Sequence, residues 1–125
     1  MSTVAAERIP ALVLGGTGYV AGELIRLVLG HPHFELVGVM SDSQPGDQLG
    51  RAFAHLASVL GDMRFKSQAE IERLLCTLPR SALFCAAPHG VSAALIDTLL
   101  SKAEAAGTQP RVVDISADYR YRTAA

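Results

Sequence analysis

Residues 12–24, Leu-Val-Leu-Gly-Gly-Thr-Gly-Tyr-Val-Ala-Gly-Glu-Leu, constrain the fold more than any other stretch of the chain. An apolar run ends in a glycine cluster, and a helical pattern begins at once. This succession predicts a strand, a tight turn and a helix N-terminus. Gly16-Thr17-Gly18-Tyr19-Val20-Ala21 fits the G-x-G-x-x-[GA] fingerprint, and Gly15-x-x-Gly18-x-x-Ala21 fits its variant. Small residues let the backbone approach a pyrophosphate, while exposed N–H groups and the helix dipole favour its charge. The turn thus offers Gly15, Thr17, Gly18, Tyr19 and Val20 as contacts to a dinucleotide. The plainer reading is a glycine turn that packs a helix on a sheet. Thr17 either donates its hydroxyl to a phosphate or only shapes the turn.

The rest of the chain alternates strand-like and helix-like segments. Strands are expected at Ile9–Leu14, Phe34–Met40, Met63–Lys66, Ala82–Ala86 and Arg111–Ile115. Helices are expected at Tyr19–Leu29, Gln68–Thr77 and Val91–Ala106. Gly30 with His31-Pro32 stops the first helix, and Gly107 stops the last. Residues 41–50 read as loop and 51–60 as irregular to weakly helical. Apolar strands alternating with helices imply an α/β, Rossmann-like, doubly wound parallel sheet. About five strands are expected, in the order 3-2-1-4-5. The 125 residues make one dinucleotide-binding domain. An uncovered edge after the last strand suggests the N-terminal part of a longer protein.

Bulk properties exclude other classes. A net charge of −1 gives no basic field for nucleic acid. The most apolar window, residues 9–30, is broken by glycines, Glu23 and Arg26, which argues against a membrane span. Two cysteines, Cys76 and Cys85, and no secretory signal fit a reducing, cytoplasmic setting. His31-Pro32-His33 reads as a helix stop, and no metal site is expected.

Ligands of such sheets sit at the carboxyl ends of the strands. At the end of the second strand stand Ser41, Asp42 and Ser43. The serines can donate to a 2′-phosphate, which favours NADP over NAD; Asp42 would repel that phosphate if it pointed inward. Alternatively these are turn residues that bond only to their own backbone. Pro88, His89 and Gly90 follow the fourth strand, where a nicotinamide ribose would lie; His89 contacts the ligand or merely caps the turn. Ser116, Asp118 and Arg120 follow the fifth, with Arg120 suited to an anionic substrate or to a local pair with aspartate.

Three segments together resemble a known family. Gly-Gly-Thr-Gly-Tyr-Val-Ala-Gly-Glu-Leu, Ala-Pro-His-Gly-Val-Ser and Val-Val-Asp-Ile-Ser-Ala-Asp-Tyr-Arg stand in the order and spacing of N-acetyl-γ-glutamyl-phosphate reductases. His31-Pro-His-Phe-Glu-Leu36 also finds similar residues there. The resemblance covers nearly all of this chain and about the first third of a typical member. It implies an enzyme of arginine biosynthesis in which NADPH reduces an acyl phosphate to a semialdehyde through a cysteine thioester. The family's Gly-Cys-Tyr-Pro-like nucleophile motif does not occur in this chain. Cys85 lies in an apolar strand and Cys76 in an amphipathic helix, so neither is expected to be the nucleophile and no catalytic residue is assigned. Full-length members self-associate, largely outside this span, so the span alone could be monomeric; the sequence does not fix its oligomeric state. Two alternatives stand beside this: a reductase of aspartyl or aminoadipyl phosphate, or a dinucleotide-binding module without catalysis.

Overall fold

Ala11, Leu12, Val13 and Leu14 are all fully buried, which requires a central strand covered on both faces. A computed structural model describes residues 7–15, 18–41, 43–87 and 91–115. Its strands are β1 (Ile9–Leu14), β2 (Phe34–Met40), β3 (Arg80–Cys85) and β4 (Gln109–Asp114). They form one parallel sheet in the order β2-β1-β3-β4. The helices are α1 (Tyr19–Leu29), the short α2 (Leu49–Ala52) and α3 (Ala57–Leu60), α4 (Gln68–Thr77) and α5 (Ser92–Ala106). A 3-10 turn at Ala54–Leu56 links α2 to α3.

The strand alternation divides the core in two. Ala11 and Val13 face Ala21, Ile25 and Val28 of α1, together with Leu49, Phe53, Leu56, Leu60 and Phe65. Leu12 and Leu14 face Ile71 and Leu75 of α4 and Leu95, Ile96 and Leu99 of α5. Each such fully buried aliphatic side chain contributes about 2 kcal/mol. In β2 the alternation slips: Ala11 pairs with Leu36 but Leu12 pairs with Gly38, leaving Val37 as an extra residue. Leu36 and Val39 therefore share the α1 side, while Val37 and Met40 share the other.

The expected Met63–Lys66 strand is reduced to two single bridges, so the sheet has four strands rather than five. Lys66 bridges Met40 in parallel sense and Arg64 bridges Gln48 in antiparallel sense. The segment divides its pairing. The Lys66 N–H bonds to the Val39 carbonyl, whereas the Phe65 N–H bonds to that of Asp47. It still lies beside β2, the place expected for a third strand. The strands expected at 82–86 and 111–115 begin two residues earlier and end one earlier. Among the described residues β4 pairs only with β3, and this edge position tolerates Pro110.

Among the described residues, no helix is long and apolar enough to cross a membrane.

Candidate functional site

In a parallel sheet each crossover helix begins at the carboxyl edge, where ligands are held. Three long helices begin there, and their first turns differ. The first turn of α4 is closed by its own chain: the Ser67 hydroxyl accepts from the Glu70 N–H at 3.3 Å, and the Glu70 carboxylate accepts from the Ser67 N–H at 2.9 Å. That backbone bond is the main reason the Glu70 carboxyl is held below its ordinary range. At α5, the buried Ser92 hydroxyl donates to the Asp114 carboxylate at 3.3 Å, placing a negative charge beside the helix start. By contrast, α1 is preceded by Gly18, which has no side chain with which to cap and stands at φ 101°, a conformation suited to glycine. The first turn of α1 also carries no acidic residue.

Gly15 joins the first turn to the end of β3. Its φ is +77°, and a Cβ there would lie 2.5 Å from Ala87 Cα and 2.6 Å from Ala87 N. No side chain fits between these backbones. The Ala86 N–H bonds to the Leu14 carbonyl at 2.9 Å, and the Ile115 N–H to the Cys85 carbonyl at 3.1 Å. The carboxyl ends of β1, β3 and β4 are thus stitched into one edge.

Tyr19 and Val20, at the start of α1, are exposed. A groove of about 350 Å³ runs beside them, lined by Gly18, Tyr19, Gly22, Glu23, Phe53 and His55. Gly22 is needed for this packing: a Cβ there would meet the Phe53 ring at 3.1 Å. Along α1, Arg26 binds Glu23 at 2.9 Å and, with a lesser contribution from His55, holds the Glu23 carboxyl below its ordinary range.

At the end of β2, Ser41 and Ser43 come together with their hydroxyl oxygens 3.3 Å apart. Ser41 is buried and its hydroxyl accepts from the Gln44 N–H at 3.1 Å, whereas Ser43 is exposed. The loop beyond is fastened by Arg64, which donates to the Gly46 carbonyl at 2.7 Å.

The structure therefore gathers Gly15, Gly18, Tyr19 and Val20 at the end of β1, and Ser41 with Ser43 at the end of β2. Thr17, Pro88, His89, Ser116 and Arg120 lie outside the described residues, as do Asp42, Gly90 and Asp118. The two cysteines fall among core and helix groups. Cys85 is buried against α4 and α5, and Cys76 is half-buried with Sγ 3.8 Å from the Lys102 carbonyl. In the His31-Pro32-His33 turn, the His31 imidazole accepts from the His33 N–H at 3.0 Å. Sequence reasoning placed Ala87 at the ligand edge without its contact to Gly15, and missed Phe53 and Asp114. The only signals for them were a small residue after a strand, an aromatic in an ambiguous stretch, and an acid at a strand end.

Comparison with known proteins places this geometry in context. A family model described as "Semialdehyde dehydrogenase, NAD binding domain" matches residues 10–125. The chain is 42% identical over 115 residues to a putative [LysW]-L-2-aminoadipate/[LysW]-L-glutamate phosphate reductase of Haloarcula marismortui, covering 92% of this chain and 29% of the relative. It is 35% identical over 115 residues to an N-acetyl-gamma-glutamyl-phosphate reductase of Desulforudis audaxviator, covering 88% and 29%. With the enzyme of that name from Nitrosococcus oceani it shares 35% identity over 112 residues, covering 90% and 30%. The chain thus spans less than a third of the length of these relatives.

Proposed function

Because this chain belongs to the semialdehyde dehydrogenase NAD-binding domain family, we propose that its 125 residues form the NADP(H)-binding domain of an acyl-phosphate reductase acting on N-acetyl-γ-glutamyl phosphate. The observation that carries this reading is the start of α1. Among the described residues, α4 is capped by Ser67 and Glu70; α5, like α1, has no side-chain cap and no acid in its first turn, but its Ser92 is bonded to Asp114, whereas α1 starts from a glycine N-cap. A helix start built in this way suits the diphosphate of a dinucleotide. Gly15, Thr17, Gly18, Tyr19 and Val20 would hold that diphosphate, and the Ser41–Ser43 pair would sit at the 2′-phosphate. Pro88, His89 and Ser116 would line the nicotinamide end, and Arg120 would face the anionic substrate.

When bound, the dinucleotide supplies the hydride. The residues of this chain bind and orient it: Gly15 fixes the turn against Ala87, and the open turn of α1 neutralises charge. Neither Cys76 nor Cys85 takes the role of nucleophile in this reading, so the span alone is inactive. The thioester-forming cysteine and the contacts between subunits are assigned to the remainder of the protein. We place the enzyme in the cytoplasm.

A second substrate is favoured by the 42% and 39% identities to relatives named for [LysW]-linked aminoadipate and glutamate phosphates. The reaction class is the same, reduction of an acyl phosphate. Turnover of the parent protein on N-acetyl-γ-glutamyl phosphate against a LysW-linked acyl phosphate separates the two.

The cofactor reading is tested by titrating the chain with NADP+ and NAD+ in a calorimeter. Binding of NADP+ well below millimolar, with weaker NAD+, is the expected result. Failure of both to bind at millimolar concentration would remove the dinucleotide from the site. Tighter NAD+ would reassign the cofactor and give Asp42 the ribose-reading role.

A further inference from the structure

Ser41 and Ser43 stand at the same strand end, but the structure gives them different surroundings. Ser41 is 4% exposed, and its own N–H is taken by the Lys66 carbonyl at 3.1 Å. Its hydroxyl accepts the Gln44 N–H at 3.1 Å and lies 3.3 Å from the Ser43 hydroxyl. A hydroxyl has one proton and two lone pairs. Gln44 occupies a lone pair of Ser41, so the Ser41 proton still needs an acceptor. Burial keeps that proton from water, and an unmet buried donor is costly. Among the described residues, the Ser43 oxygen is the acceptor within reach. Ser43 then receives a proton from the inside and has its own proton directed outward, where the residue is exposed.

We infer that Ser41 is a positioning residue that sets Ser43 as an outward hydrogen-bond donor, and that Ser43 alone touches the 2′-phosphate of the cofactor. This rests on the NADP reading above and divides between two residues a role that sequence alone gives to both. The direction of the relay matters for the choice of ligand. A phosphate dianion only accepts, so it requires a donor and gains from a polarised one. A ribose 2′-hydroxyl donates or accepts, so it is indifferent to the direction of the relay.

The probes are adenosine 2′,5′-bisphosphate, which carries the 2′-phosphate, and adenosine 5′-monophosphate, which lacks it. Ser43→Ala should weaken the bisphosphate by about tenfold, as loss of one charge-assisted bond does, and leave the monophosphate unchanged. Ser41→Ala should weaken the bisphosphate by about three- to fivefold, again sparing the monophosphate. The double variant should bind no worse than Ser43→Ala, because Ser41 acts through Ser43. Ser41→Thr, which keeps the hydroxyl, should restore the bisphosphate. An equal loss for both probes in Ser41→Ala would reduce Ser41 to loop support and overturn the inference. Additive single effects would do so too, by making Ser41 a direct contact. If the unaltered chain does not prefer the bisphosphate, the NADP reading falls and the inference falls with it. A preference left unchanged by Ser41→Ala overturns the inference alone.

Discussion

Helices α1 and α4 are nearly equal in length, eleven and ten residues, yet begin in opposite ways. Ser67 and Glu70 satisfy the start of α4 from within its own chain. At α1 the N-cap is a glycine, and the backbone leading into it is pressed against the end of β3 instead. The difference separates two uses of a helix N-terminus. A capped start contributes stability and engages two of its donors from within the chain. A start with no capping side chain forgoes that contribution, roughly 1 kcal/mol in a typical cap, and leaves N–H groups for an anion.

Substitutions at the two starts should separate these uses. The largest effect is expected from Gly15→Ala, where a Cβ meets backbone at 2.5 Å at a φ of +77°. Overpacking and strain together should cost about 3 kcal/mol or more in a urea melt. Gly18→Ala meets nothing within 4 Å and bears only the strain of φ +101°. It should cost about 1–2 kcal/mol, while NADP+ affinity falls more than stability does. An affinity unchanged in that variant would break the proposed division. Ser67→Ala should cost about 1 kcal/mol in the same melt and leave dinucleotide affinity untouched.

The Glu70 half of that cap predicts a pH dependence. Its carboxyl is held below the ordinary value by the Ser67 N–H. A lowered folded-state pKa adds stability that is present above the unfolded value and fades as pH falls through the folded one. The stability gap between the native chain and Glu70→Gln should therefore be widest near neutrality and close below the ordinary carboxylate range. A gap that grows on acidification would contradict the assignment. The smallest effect is expected from Ser81, whose hydroxyl is buried without a hydrogen-bond partner. It shows the third fate of a polar group, neither capped nor open to a ligand. Ser81→Ala should be neutral or stabilising by up to about 1 kcal/mol.

Where sequence and structure agree, local and tertiary demands coincide. The bounds of β1, α1, β2 and α4 follow from apolar period and from breakers such as Gly30 with Pro32. They diverge at 49–66, because that segment answers to two neighbours. Phe53 must reach α1, Phe65 the same core, and Lys66 the end of β2. No local pattern encodes three such demands, and the result is short helices and single bridges. At the site, glycine was legible as a residue type at Gly15 and Gly18. The reason for Gly15, its contact with Ala87 some seventy positions away, was not legible in the turn itself. The two serines were legible as a pair, but the Gln44 N–H and the burial that make them unequal belong to three-dimensional structure.

The contact of Gly15 with Ala87 has a consequence for redesign. Gly15, wedged against the backbone of Ala87, is a fixed part: no side chain can be added there without moving the end of β3. The loop after β2 is fastened differently, by hydrogen bonds rather than by close backbone packing: Arg64 donates to the Gly46 carbonyl, Phe65 exchanges backbone bonds with Gly46 and Asp47, and Gly46 has open space around it. That loop is a replaceable part. Transplanting it from a protein of other nucleotide preference is the route to a new cofactor choice, with the first turn kept letter for letter.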